Sequence, residues 1–307
     1  MQELWRGNAN AWECDELGHM NVRFYIAKAM QAVGTLSDLA GMRHAFRADA
    51  IATLIARELQ VRYLAECHAG VPLVIHGGVT AIGEDSVELA LVMEHTAKAR
   101  PAASFLIQLD HCDPRTGKAF HWSDRLRAGL EALRIERPAE VVARTLTSTP
   151  PRSDISLELA DRLGMAVTGR GRFLPEDGDI FGRMRAEAAI GKTSDSVIHF
   201  RDGFPEEWSA HGDGAGLELG GALLEARIIY RRLPLPGDGY LMRSGLIGAS
   251  ENVRSLVHWM LDPVTGQPLW SIEGVACMMD LKARRLFKTP PEQLAALKSK
   301  VIAGLSV

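Results

Sequence analysis

Apolar and polar positions divide the chain into two stretches that carry the same elements in the same order. In the first, Val22 to Ala40 is rich in Ala, Met, Leu and Val, with charges only at Arg23, Lys28 and Asp38. A helix apolar around most of its circumference is normally wrapped by other structure. Strand-like runs follow at Ile55–Leu64, Val71–Ile82, Val87–His95 and Ala102–Leu109. In the second stretch, Arg183 to about Ser196 takes the helix's place with a more polar face. Its strand-like runs are Ala222–Leu233, Tyr240–Gly248, Val253–Leu261 and Leu269–Met279. Turn signals separate the runs, among them Gly83-Glu-Asp85 and Asp262-Pro-Val-Thr-Gly266.

The two stretches are in register at one place. Asp15, Gly18 and Met20 of the first match Asp179, Gly182 and Met184 of the second, each pair 164 residues apart, and Lys28 meets Lys192 at the same offset. Each half therefore reads as a short strand, a motif, a buried helix and four strands. The expected organisation is a domain over residues 1–135, a linker over 136–165 with a helical piece near Leu157–Leu163, and a second domain over 166–307.

Composition narrows the chemistry only a little. A chain of 307 residues has room for about two domains. A net charge of −3 gives no general field for nucleic acid, so no nucleic-acid partner is expected. No apolar run approaches membrane-spanning length and the first residues do not read as a signal peptide, so neither a membrane partner nor a leader is expected. The scattered cysteines Cys14, Cys67, Cys112 and Cys277 suit reduced thiols in the cytoplasm.

The run Asp15-Glu-Leu-Gly18-His19-Met-Asn21-Val22-Arg-Phe-Tyr25, standing just before the buried helix, resembles the motif of the acyl-CoA thioesterases of the 4-hydroxybenzoyl-CoA thioesterase type. The resemblance implies an α+β chain of two tandem hotdog folds, each an antiparallel sheet wrapped around a central helix, forming an internal pseudo-dimer. It implies hydrolysis of an acyl-CoA to CoA and a free acid, with coenzyme A entering as part of the substrate and no other cofactor. It leaves room for a homodimer of double hotdogs.

Asp15 is the candidate carboxylate, as nucleophile or as general base; the other reading is an Asp that bonds only its own turn. The resemblance places the oxyanion donor at the backbone N–H of Val22, at the helix start, where unsatisfied donors favour negative charge. His19 either orients substrate or is structural. Asn21 either contacts substrate or caps the helix. Gly18 and Tyr25 complete the candidate pocket, with Tyr25 equally readable as a core aromatic.

For CoA phosphates the candidates are Arg62, Arg284 and Arg285. In the second half Asp179 and Gly182 survive, while Arg183, Arg185 and Ala189 stand where His19, Asn21 and Tyr25 stand in the first, which points to one competent site and one scaffold copy. No metal-ligand spacing is present, and the Gly-rich run from Gly212 to Gly221 lacks the context of a dinucleotide loop. Two rival readings stay open: a hotdog enoyl-CoA hydratase or dehydratase, and a non-catalytic acyl-CoA binding module.

Overall fold

The computed structural model describes residues 1–205, 219–280, 282–283 and 285–307. Arg284 and the Gly212–Gly216 part of the Gly-rich run lie outside the described residues. The chain forms two compact units, one of Met1–Arg144 with Glu176–Ala188, the other of Thr145–Pro175 with Ala189–Val307.

The first unit contains β1 (Gln2–Asn8), α1 (Val22–Leu39), β2 (Thr53–Tyr63), β3 (Pro72–Ile82), β4 (Ser86–His95), β5 (Arg100–Cys112) and α2 (Asp124–Glu131). Its strands run antiparallel in the order β1-β3-β4-β5-β2. Helix α1 turns Tyr25, Ile26, Ala29, Ala32, Val33 and Leu36 into the core. Ala29 and Ala32 are fully buried on this face, and buried apolar residues of β3, β4 and β5 make up much of the rest of the core.

The rest of the chain supplies α3 (Leu157–Arg162), β6 (Ala166–Arg172), α4 (Ala186–Ser194), the single turn α5 (Phe200–Gly203), β7 (Leu219–Tyr230), β8 (Gly239–Ala249), β9 (Val253–Leu261), β10 (Pro268–Asp280), the two-residue β11 (Arg285–Leu286) and α6 (Pro291–Ser299). The strands again run antiparallel, in the order β6-β8-β9-β10-β7, with β11 on β10. Strand for strand this is the order of the first sheet, so the architecture is α+β, two hotdogs in tandem. The chain's last residues pack beneath β9: Trp259, fully buried, donates its indole N–H to Ser306 O at 3.0 Å, and Leu305 and Val307 are buried beside it.

Residues between the repeats are ordered by the outer face of each sheet. In the first unit Ser104 Oγ and Arg62 both donate to Glu140 O, at 2.6 Å each. In the second, the Thr147 N–H and hydroxyl donate to Glu273, and Arg227 takes the carbonyls of Thr147 and Thr149. Helix α2 follows the last strand of the first unit, where the sequence pattern predicts no element; Ser123 caps it by accepting from Leu126 N at 3.3 Å. Among the described residues no helix is long and apolar enough to cross a membrane.

Candidate active site

The turn at Asp15 is built by its own polar groups. Gly18 N donates to Asp15 O at 3.0 Å and Asp15 N to His19 O at 2.9 Å, closing a tight loop. Gly18 sits at φ +78°, a conformation that would strain any residue with a Cβ. One carboxylate oxygen of Asp15, Oδ1, accepts from Leu17 N at 3.0 Å and His19 N at 3.1 Å. Among the described residues Oδ2 has no donor within hydrogen-bonding distance, and the side chain is half-buried. The turn thus fixes one oxygen and leaves the other without a donor among the described residues.

Helix α1 begins directly after it. Asn21 is the N-cap: its Oδ1 accepts from Arg23 N at 3.0 Å and its carbonyl from Phe24 N at 2.9 Å. With those two amides engaged, Val22 N–H is the first-turn donor left without an acceptor among the described residues. It lies at the positive end of the helix dipole.

Beneath the turn lies a buried ion pair. Lys28 Nζ, on α1, meets both oxygens of Glu13 at 2.7 and 2.8 Å. The Glu13 carboxylate also accepts from Asn10 N, and Glu13 O accepts from Asn21 N at 2.8 Å, so one residue ties the segment before Asp15 to the cap after it. Neither role left a recognisable signal; Lys28 alone marked itself, by its match with Lys192.

Tyr25 is buried, edge-on to Tyr63 with ring centroids 5.3 Å apart, and donates to Ala65 O at 3.2 Å. Tyr63 donates to Val22 O at 3.3 Å. Burial raises both phenols above their ordinary range, so they remain donors. Burial likewise raises the thiols of Cys14 and Cys67, which keeps both as neutral thiols.

His19 and His68 face each other across an isolated antiparallel bridge, with ring centroids 4.7 Å apart. His19 Nε2 lies 3.3 Å from Glu66 Oε2, and His68 Nδ1 lies 3.0 Å from Gly18 O. Glu66 and His68 belong to no motif in the sequence; only the bridge brings them to His19. Arg62 lies elsewhere in the unit, buried, with its guanidinium on the carbonyls of Glu140 and Val142 at 2.6 and 3.0 Å. Arg285 is exposed on β11.

The second turn repeats the first in backbone. Asp179 Oδ1 accepts from Phe181 N at 2.8 Å and Arg183 N at 2.9 Å, Gly182 sits at φ +77°, and Arg185 N donates to Asp177 O at 2.8 Å as Asn21 N does to Glu13 O. Its side chains differ. Arg183 lies over the Phe181 ring and brings Nη2 to 3.4 Å from Asp179 Oδ2, so here both carboxylate oxygens are engaged. A cavity of about 260 Å³ lies beside Phe181, lined also by Ile51, Asp49, Asp113 and Arg115, and not beside Asp15.

Comparison with known proteins agrees with this fold. The chain matches the model of the thioesterase-like superfamily over residues 9–130 and 173–297, one match for each repeat. No curated protein sequence matches it significantly. Among solved structures it is similar to a 12:0-ACP thioesterase from Umbellularia californica (TM-score 0.65, 10% identity, 89% of this chain and 92% of that one). It is also similar to a protein described as an oleoyl thioesterase from Lactobacillus plantarum (0.64, 11%, 89% and 94%) and to an acyl-ACP thioesterase from Bacteroides thetaiotaomicron (0.59, 12%, 89% and 96%). At such identities these structures speak for the fold. Two family matches, each spanning one motif turn and the sheet that follows it, show that the chain belongs to the thioesterase-like superfamily and is a thioester hydrolase.

Proposed function

We propose that the chain is an acyl-CoA thioesterase of the 4-hydroxybenzoyl-CoA thioesterase type, with one working site at the first turn. The observation that carries this reading is that, among the described residues, Asp15 keeps one carboxylate oxygen open in the turn that leads into α1, whose first amide, Val22 N–H, is also unengaged. A thioester carbonyl directed at Val22 N–H has its developing negative charge met by a backbone donor and the helix dipole. Asp15 Oδ2 then either attacks the carbonyl carbon, expelling the CoA thiolate and leaving an acyl–Asp15 anhydride for water to cleave, or takes a proton from an attacking water. His19, Asn21 and Gly18 hold the turn and the helix start, and Tyr25 backs the acyl pocket.

Arg285 is the described candidate for CoA phosphates, with Arg284 next to it in sequence; Arg62 already serves two carbonyls. The reaction needs no metal or organic cofactor in this reading. The four free cysteines suit a reducing, cytoplasmic setting. The domains are 1–135 and 166–307. A second reading, an acyl carrier protein in place of CoA, is favoured by the names of two double-length structural relatives. Both carriers present a pantetheine thioester.

The test is a hydrolysis screen over acyl-CoA esters of graded length and shape, read as released thiol, with acyl carrier protein esters alongside. Turnover supports the assignment and the better carrier decides between the readings. Tight binding without turnover supports a binding module, and water addition to an enoyl-CoA supports the hydratase. Single-turnover hydrolysis in ¹⁸O-water that leaves label in the Asp15 carboxylate identifies the anhydride route, with water attacking the Asp15 carbonyl carbon of the anhydride.

A further inference from the structure

We propose that His19, Glu66 and His68 form a binding site for a divalent transition-metal ion of the zinc class, beside the turn that carries Asp15. Each of the three offers one ligand atom, and these atoms all lie within 4.8 Å of one another. The arrangement follows from the backbone. His19 and His68 pair directly across an antiparallel bridge, locked by Met20 N donating to Cys67 O at 2.7 Å. Directly opposed residues of such a pair project their side chains to one side. Glu66 stands two positions before His68, and residues two apart in extended chain share a face.

The donor geometry suits the ion. At metal–ligand lengths of about 2.0–2.2 Å, the ligand–ligand edge of a tetrahedron is about 3.3 Å. His19 Nε2 and Glu66 Oε2 already stand 3.3 Å apart. A hydrogen bond between these two would not explain His68, which is the more telling member. A carbonyl oxygen can only accept, so the 3.0 Å contact of His68 Nδ1 with Gly18 O puts the proton on Nδ1. Nε2 is then left with its lone pair and a fixed ring, which is how a second partner prepares a histidine ligand. His68 and Glu66 are exposed, so small rotations bring their donors onto an ion approaching from solvent, with water completing the fourth position. Two imidazoles and one carboxylate favour zinc-class ions over calcium or magnesium, which take oxygen ligands.

The site abuts the catalytic turn through covalent connection: the His19 N–H that holds Asp15 Oδ1 belongs to a ligand residue, and Gly18 O orients another. The proposal stands on ligand geometry and does not depend on the thioesterase reading.

The experiment is calorimetric titration of Zn²⁺ into the full chain stripped of metal by chelator, with Co²⁺ absorption as a second readout of ligand number. The expected result is one saturable ion per chain, weakened at least about tenfold in His68→Ala and in Glu66→Gln, with both metal-free variants melting like the parent. His68→Gln, which keeps an amide donor for Gly18, replaces the alanine variant if that one fails to fold. Absence of a saturable site, or unchanged affinity in either variant, overturns the proposal.

Discussion

The two motif turns of this chain have nearly the same backbone and different electrostatics. In each, an Asp accepts two amides of its own loop through Oδ1, a glycine sits near φ +78°, and a buried acid precedes the loop by two residues, Glu13 in one and Asp177 in the other. At the first turn the other oxygen of Asp15 is open, whereas at the second Arg183 reaches Asp179 Oδ2. A guanidinium on a carboxylate occupies an oxygen that would otherwise face an incoming group. On the proposed function, the second copy keeps what makes the turn fold and has lost the open carboxylate oxygen that would react.

The same contrast recurs deeper in the sheets. In the first sheet Leu4, Gly77 and Leu91 meet tightly; a Cβ on Gly77 would lie 2.3 Å from Leu91 Cδ2 and 3.2 Å from Leu4 Cδ1. At the matching positions of the second sheet stand Thr168, Ser244 and His258, joined by hydrogen bonds of 2.6 and 2.8 Å. One copy packs this point with apolar atoms and the other with a buried polar chain, and the two should respond differently to acid.

Four perturbations sharpen the comparison. The largest stability effect belongs to Lys28→Met, which leaves the Glu13 carboxylate buried without its cation. It should cost about 3–5 kcal/mol in chemical denaturation, with much of the loss recovered on adding Glu13→Gln. Acid comes next. Burial holds His258 down to about 4 from an ordinary 6.5, so the unfolded chain takes up the proton first. Stability is then full above pH 6.5 and falls as pH drops from 6.5 towards 4, by about 3 kcal/mol at the limit. His258→Gln should flatten that limb of the stability–pH curve.

Smaller still, Gly18→Ala and Gly182→Ala should each cost about 1–2 kcal/mol for their positive φ. Thermal melts should show similar losses, while only Gly18→Ala lowers kcat if, as proposed, its turn alone carries the reacting carboxylate. Smallest of all is Arg183→His, which removes the guanidinium from Asp179. Turnover should stay within about twofold of the parent, because Ala189 and Arg185 still replace Tyr25 and Asn21; a large rise would show the second copy to be one residue from competence.

The fold was legible because hydrophobic periodicity marks strands and a wrapped helix wherever it occurs, and because Asp15 and Asp179 set a common origin for two such series. The finer correspondence was obscured by length. Thr168 follows Leu4 by 164 residues, but Ser244 follows Gly77 and His258 follows Leu91 by 167, so three added residues put the later strands out of register with the motif. Helix α2 was hidden because its mean composition is polar; only the Ser123 cap announces it. At the site, Asp15 and Val22 became candidates through the resemblance of the motif, whereas the Glu13–Lys28 pair and the meeting of His19 with Glu66 and His68 depend on burial and on a bridge between distant segments. No local pattern records either.

The central claim is that one carboxylate reacts and its counterpart only folds. The measurement that tests it most directly is kcat for Asp15→Asn and Asp179→Asn side by side, on the best acyl-CoA of the screen, with melting curves for both. Asp15→Asn should lower kcat on the order of 10³-fold or more with its fold retained, and Asp179→Asn should stay within about twofold of the parent. Comparable losses in the two variants, or near-normal turnover in Asp15→Asn, would contradict the account.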